Sequence, residues 1–191
     1  MGISIVTPAA SDPVSLAEAK AHLRIDTTDE NDLITSLITA ATELAQTVTC
    51  RQFIHATFDY TLDRFPVEDY IELPRSPLSS VTSITYTNAG GTAGQTFTDI
   101  TADTYHTPGR VVLNYDESWP DYREDYNAVV IRFVAGYGAT SSSVPAAVRQ
   151  AFLLMVGHWF EHREEASEMN LKQMPVAAAS LLATVKLQQV A

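Results

Sequence analysis

Between residues 29 and 49 apolar side chains recur at spacings of one, three and four: Leu33, Ile34, Leu37, Ile38, Ala41, Leu44, Ala45 and Val48. That period lays a single apolar stripe along an α-helix. Asp29, Glu30 and Asp32 stand at its start, where carboxylates complement the positive end of the helix dipole. A shorter helix precedes it, because Ser15-Leu16-Ala17-Glu18 is a capping-box pattern in which hydroxyl and carboxylate each satisfy an orphan amide. It ends near Leu23. Toward the other end of the chain, Val144-Pro145 opens a third helix, with proline where a first-turn amide needs no partner. From Ala151 to Phe160 this helix is apolar on nearly every face, so it must be covered on more than one side. Pro175 to Leu187 predicts a fourth, short helix carrying Val176, Leu181, Leu182 and Val185.

The middle of the chain alternates with the period of two expected of strands. Phe53–Leu62, Val81–Tyr86, Val111–Tyr115 and Ala128–Val134 all read this way. Turn signals separate them at Pro74 and Pro77, Asn88-Ala89-Gly90-Gly91, Pro108-Gly109 and Gly136-Tyr137-Gly138. Thr140–Ser143 is a short polar linker into the third helix. The pattern predicts an α+β chain in which N- and C-terminal helices form a helical bundle, with an inserted small antiparallel β barrel or sandwich. The boundaries fall at residues 1–50 for the N-terminal helical part, 51–140 for the β-rich insertion and 141–191 for the C-terminal helices.

Length and charge narrow the function. A chain of 191 residues is about one domain, or one with an insertion. Its 12 Lys+Arg stand against 23 Asp+Glu, a formal charge of −11. A surface built to neutralise nucleic-acid phosphates or anionic lipid is disfavoured by that balance. The acidity is uneven: residues 1–50 hold 7 acids and 2 bases, residues 51–140 hold 12 and 6, and residues 141–191 hold 4 and 4. No apolar run reaches the ~18–20 residues of a membrane span, and Met1–Val6 lacks the pattern of a signal peptide, so the chain is expected to be soluble and cytosolic when made. Cys50 is the sole cysteine, which excludes an intrachain disulfide and a cysteine-rich zinc site.

Two strings bear on chemistry. His158-Trp159-Phe160-Glu161-His162 matches H-x-x-E-H, in which two histidines bind zinc and the glutamate acts as base. A small zinc metalloprotease on His158, Glu161 and His162 is therefore one alternative. The motif needs a third ligand from a distal element, however, and Glu164, Glu165 and Glu168 follow within one or two turns. Asp116–Tyr126 is dense in carboxylates and aromatics, so a carbohydrate-binding β module using Trp119 and Tyr122 is the other alternative. A flexible loop supports acid–base geometry poorly, and a solvated or partner-contacting loop explains the same composition. Asn88–Gly94 lies between strands with no helix after it, which argues against a phosphate cradle, and no Gly-x-Ser-x-Gly elbow occurs. The chain is expected to be neither an enzyme nor a cofactor or metal carrier.

Several strings together resemble the head-tail connector (adaptor) proteins of long-tailed bacteriophages. They are Val14–Asp26 followed by Asp29–Ile34 and the long helix, then Val134-Ala135-Gly136-Tyr137-Gly138 leading into Val144–Ala151 and His158–Glu164, and finally Pro175-Val176 with Leu181-Leu182. The order and spacing are specific as a set, while the middle follows the family only in outline. This sequence departs from the family at Cys50, where glycine often caps the helix in a left-handed conformation, and at His162, where a non-ligand such as Asn is common. The resemblance implies a structural virion protein of the phage neck, made in the host cytoplasm: a homo-oligomeric ring matched to the portal above it. That ring would continue the DNA channel without binding DNA specifically, and it would receive a stopper or tail-completion protein, with no membrane involved.

Within that reading the third helix is the expected subunit interface, because Leu153, Leu154, Met155, Trp159 and Phe160 exceed what one small core can cover. Residues from about 167 to 191 are expected to be a docking arm toward the portal or a neighbour through Val176, Leu181, Leu182 and Val185. A helix that short is marginal in water and needs a groove.

Overall fold

The computed structural model describes residues 1–162 and 174–187. The chain is α+β, with four α-helices and antiparallel sheets among the described residues, and it divides into two compact units. Met1–Ala9 and His55–Tyr137 form the β unit, and Ala10–Ile54 with Gly138–Ala191 form the helical unit.

Eight strands make the β unit: β1 (Gly2–Thr7), β2 (Ala56–Leu62), β3 (Tyr70–Glu72), β4 (Leu78–Tyr86), β5 (Gln95–Phe97), β6 (Ile100–Asp103), β7 (Arg110–Leu113) and β8 (Val129–Ala135). Five form one antiparallel sheet in the order β1-β2-β8-β4-β5, and three form a second in the order β3-β7-β6. Neither sheet closes on itself, so no barrel forms among the described residues. Alternation along β8 places Val129, Ile131, Phe133 and Ala135 inward. Register then brings Phe58 opposite Phe133 and Ile84 opposite Ile131. Ile71, Leu73 and Val111 from the β3 and β7 region join the same cluster, so both sheets bury their apolar faces in one core. The outer face of the larger sheet is polar. There the Arg132 guanidinium donates two 2.8 Å hydrogen bonds to Asp59, and this carboxylate partner raises the arginine's pKa further.

The helical unit holds α1 (Leu16–Leu23), α2 (Asn31–Thr49), α3 (Ala146–Glu161) and α4 (Val176–Ala183), with a single 3₁₀ turn at Ser141–Ser143. The capping box is formed as the sequence predicts. Glu18 N–H donates to Ser15 Oγ at 3.2 Å, and Ser15 N–H donates to Glu18 Oε2 at 3.0 Å. Lys20 Nζ then ties the α1–α2 turn by donating to Thr27 O at 2.6 Å and Asn31 Oδ1 at 3.0 Å. Ser15→Ala is expected to cost about 1 kcal/mol, read as a shift in the urea midpoint at unchanged slope.

Two sequence expectations change on folding. Phe53 and Ile54 alternate like the start of a strand, yet β2 begins at Ala56, and both residues are buried in the helical unit. Phe53 meets Phe152 of α3 edge-to-face at 5.2 Å, a contact that outweighs local strand propensity. Gly2–Thr7, for which the sequence predicts no element, is strand β1 at the edge of the larger sheet.

Candidate assembly surface

The burial pattern of α3 sorts its apolar residues into two sets. Val148, Ala151, Phe152, Met155, Val156 and Trp159 are buried, a stripe at spacings of three and four that packs against the other helices of the unit. Met155 and Trp159, expected at a subunit interface, thus serve the subunit's own core. Leu153, Leu154 and Phe160 are only half-buried. Leu154 lies on the face that carries the exposed Gln150, His158 and Glu161, an apolar side chain among polar ones. α3 packs on α1 beside Gly157, where a Cβ would stand 3.4 Å from His22 Nε2, an ordinary contact distance. The Glu18 carboxylate pairs with Arg149 and joins the capped end of α1 to the first turns of α3. The indole N–H of Trp159 has no acceptor among the described residues.

The C-terminal elements divide likewise. Ala178, Leu182 and Leu187 are buried on the unit's own helices, Leu181 and Val185 are half-buried, and Val176 is 83 % exposed. Beyond α4 the backbone is fastened to the end of α2. Leu187 N–H donates to Thr49 O at 3.0 Å, and the Arg51 guanidinium donates to Val185 O. Cys50 holds the left-handed conformation of a helix cap at φ 55°, so the cap geometry forms here without glycine. Residues 163–173, which include the start of the expected arm, lie outside the described residues.

The two chemical alternatives gain no support from geometry. The rings of His158 and His162 are 4.5 Å apart between centroids, but His162 Nδ1 is engaged with His158 O at 2.9 Å. Among the described residues no three His, Cys, Asp or Glu side chains converge on a metal-sized site. Trp119 stacks on Phe65 at 4.8 Å and donates its indole N–H to Glu68 O at 2.9 Å, and Tyr122 packs on the same Phe65 ring at 5.2 Å. Both aromatics are therefore half-buried against the β core, and the Trp119 face that meets Phe65 is closed to a sugar ring.

Electrostatics are local. The carboxyl of Asp103 is held below its ordinary value of 3.8, first because Arg110 donates to it at 2.9 Å and then because the amides of His106 and Tyr105 do. A carboxylate with a depressed folded-state pKa contributes stability above its unfolded value and loses that contribution as the pH falls through the folded one. Asp103→Asn should therefore flatten the fall in Tm below pH 3.8 while lowering Tm at neutral pH. Burial pushes Asp12 and Tyr60 upward.

The model of the "Head completion protein" family matches residues 14–171, most of the chain. The chain belongs to the head completion protein family. The match spans α1, α2, all the β unit except β1, and α3, and it bears out the resemblance carried by the N-terminal strings and by Val134–Glu164. A comparison with curated protein sequences finds no match. Three chains in solved structures are similar throughout. One, from the virion of a native gene transfer agent particle, is 22% identical with a TM-score of 0.81. The second, from the neck of an empty gene transfer agent particle computed with C6 symmetry, is 23% identical at 0.79. The third, from the neck of a native particle computed with C12 symmetry, is 22% identical at 0.76. In each case the similarity covers 100% of this chain and 98% of the other. Both units of this head completion family member thus follow a fold found in those particles.

The site residues that sequence reasoning missed are those whose partners are distant in the chain. Arg51 and Arg149 are ordinary surface-type residues until folding sets them against Val185 O and Glu18. The apolar alternation of Ile3 and Ile5 is a weak signal of β1, because the strand is exposed along its whole length and has no buried face to impose a clear apolar/polar pattern.

Proposed function

We propose that the protein is a structural subunit of the neck of a phage-like particle, assembled as a ring beneath the portal. In this reading the ring continues the DNA channel and offers its other face to a stopper or tail-completion protein. The observation that carries it is full-length similarity to chains from gene transfer agent necks computed with C6 and C12 symmetry, joined to membership of the head completion family. A cyclic ring uses heterologous contacts, in which two different patches of each subunit meet. Leu153, Leu154 and Phe160 on α3 supply an apolar contact to a neighbouring copy, with Met155 and Trp159 holding them from beneath. Val176, Leu181 and Val185 supply the docking contact to the portal or a neighbour, anchored by the buried Leu182.

The acidity fits a channel wall past which DNA slides. The β7–β8 connection alone carries Asp116, Glu117, Asp121, Glu124 and Asp125 against Arg123. Such a surface releases no counterions from DNA and has no electrostatic drive to hold it. Electron microscopy of the purified protein, alone and mixed with its portal, tests the reading. Rings coaxial with the portal are expected, together with no retention of duplex DNA in a gel shift at physiological salt. A strict monomer under both conditions overturns it.

A further inference from the structure

The edges of the two sheets are treated in opposite ways. The three-stranded sheet ends in β3 and β6, and both carry acid: Glu72 closes β3 and Asp103 closes β6, with Asp69 and Asp99 immediately before them. Charge on an edge strand is a usual guard against pairing with another chain. In the five-stranded sheet neither edge carries it. β1 lies within Met1–Ser11, which has no charged side chain and whose Met1 α-ammonium is offset by Asp63 at 3.9 Å, and the opposite edge lies within Ser76–Thr98, which has no charged side chain either. In a chain of 12 basic and 23 acidic residues, these neutral stretches coincide with the two rims of one sheet.

β1 is also an open template. All six of its residues are exposed, it pairs only with β2, and it contains no proline. Every second N–H and C=O along it faces away from β2. Ile5 is 63 % exposed and Val6 43 %. The opposite rim is formed by β5 and by the stretch of β4 that β5 leaves uncovered, since β5 pairs only with Ile84–Tyr86. Ser79, Ser80 and Thr82 on that stretch and Thr96 on β5 are exposed.

We infer that β1 of one copy pairs along the β4–β5 rim of the next copy, joining subunits through a shared sheet edge. The occupant is a second copy of this chain for two reasons. First, two copies that carry −11 each repel over most approaches, and the two neutral rims are where they meet without like-charge contact. Second, one six-residue strand pair buries less than the ~1,000 Å² a free-standing interface needs, so the pairing serves a partner already held alongside. β1 against a different rim is a heterologous contact, as a closed ring requires, whereas β1 against β1 closes a two-fold dimer and stops. This inference rests on the ring reading for its closure and goes beyond it in naming the strands.

Thiol cross-linking tests it. In a Cys50→Ser background, Ser4→Cys together with Thr96→Cys is treated at high protein concentration with a short bis-maleimide. A ladder of covalent multimers is expected from the double variant and no more than background from either single one. A dimer from Ser4→Cys alone, or no ladder from the pair, overturns the proposal. Ile5→Lys supplies the second readout: at least tenfold weaker self-association in sedimentation, with an unchanged circular dichroism spectrum. Val67→Lys, at a residue 98 % exposed and off both rims, should associate normally. Self-association of Ile5→Lys at native strength also overturns the proposal, as does a defect confined to portal attachment, which would give the edge a different occupant. Rings seen by microscopy without the ladder would sink the strand pairing and leave the ring reading standing.

Discussion

Phe133→Ala should lower the stability of the β unit by about 3–5 kcal/mol, a large share of the about 5–15 kcal/mol margin of an ordinary protein. Phe133 is fully buried in β8, the central strand of the larger sheet, and stacks on Phe58 across the β2–β8 pair at 5.5 Å. Its loss removes aromatic surface from the one cluster that also buries Ile71 and Val111 of the smaller sheet. The two strands on either side are hydrogen-bonded to β8 along their lengths, so the space left behind cannot collapse without breaking register. The chain has two tryptophans, Trp119 against Phe65 in the β unit and Trp159 in α3 of the helical unit. Urea unfolding followed by fluorescence in a Trp159→Phe background therefore reads the β unit alone. Val67→Ala, at a residue 98 % exposed, should stay within about 0.5 kcal/mol of the parent. A Phe133→Ala midpoint as close to the parent as that would mean the two sheets do not share a single core.

How much of this architecture was legible depended on whether the signal was local. α1, α2 and α3 follow from a capping box, a stripe and a proline start, each contained within a few turns of sequence. β2, β4, β7 and β8 follow from alternation. β3 and β5 are three residues long, too short to show a period, and their pairing is set by β7 and β4 rather than by themselves. Gly109 illustrates what a turn signal leaves out. Pro108-Gly109 marks a turn, but the close contact behind it does not show in the sequence: a Cβ at residue 109 would lie 2.3 Å from the Cβ of Leu78, and the Gly109 carbonyl accepts from Leu73 N–H at 2.8 Å. The over-apolar character of α3 is met within the subunit by contacts with α1, α2 and α4. Which residues α2 and α4 would cover, and which they would leave, depended on packing that no single helix encodes.

Leu154→Asp should abolish ring formation while leaving the subunit folded. Leu154 is half-buried on the polar face of α3, so its replacement takes little from the subunit's own core, which is built on Phe152, Met155 and Val156 one helical face away. In a ring the same change is repeated at every contact. Each interface would lose the part of a leucine's ~1.5–3 kcal/mol that half-burial in the subunit leaves to be gained, and would enclose an unpaired carboxylate beside Glu161, costing about 3 kcal/mol or more, on a chain already at −11. A loss near 3 kcal/mol is more than a hundredfold in the association constant of one contact, and closing a ring multiplies the penalty across its members. Leu154→Met, which keeps the apolar volume, should assemble like the parent. Val176→Asp separates the second surface: with Val176 83 % exposed, the subunit should fold and form rings yet fail to join the portal. Sedimentation velocity gives the ring, co-sedimentation with portal gives the docking, and circular dichroism gives the fold. Rings of Leu154→Asp at native affinity would remove α3 from the interface and leave the sheet edges to hold neighbouring copies together.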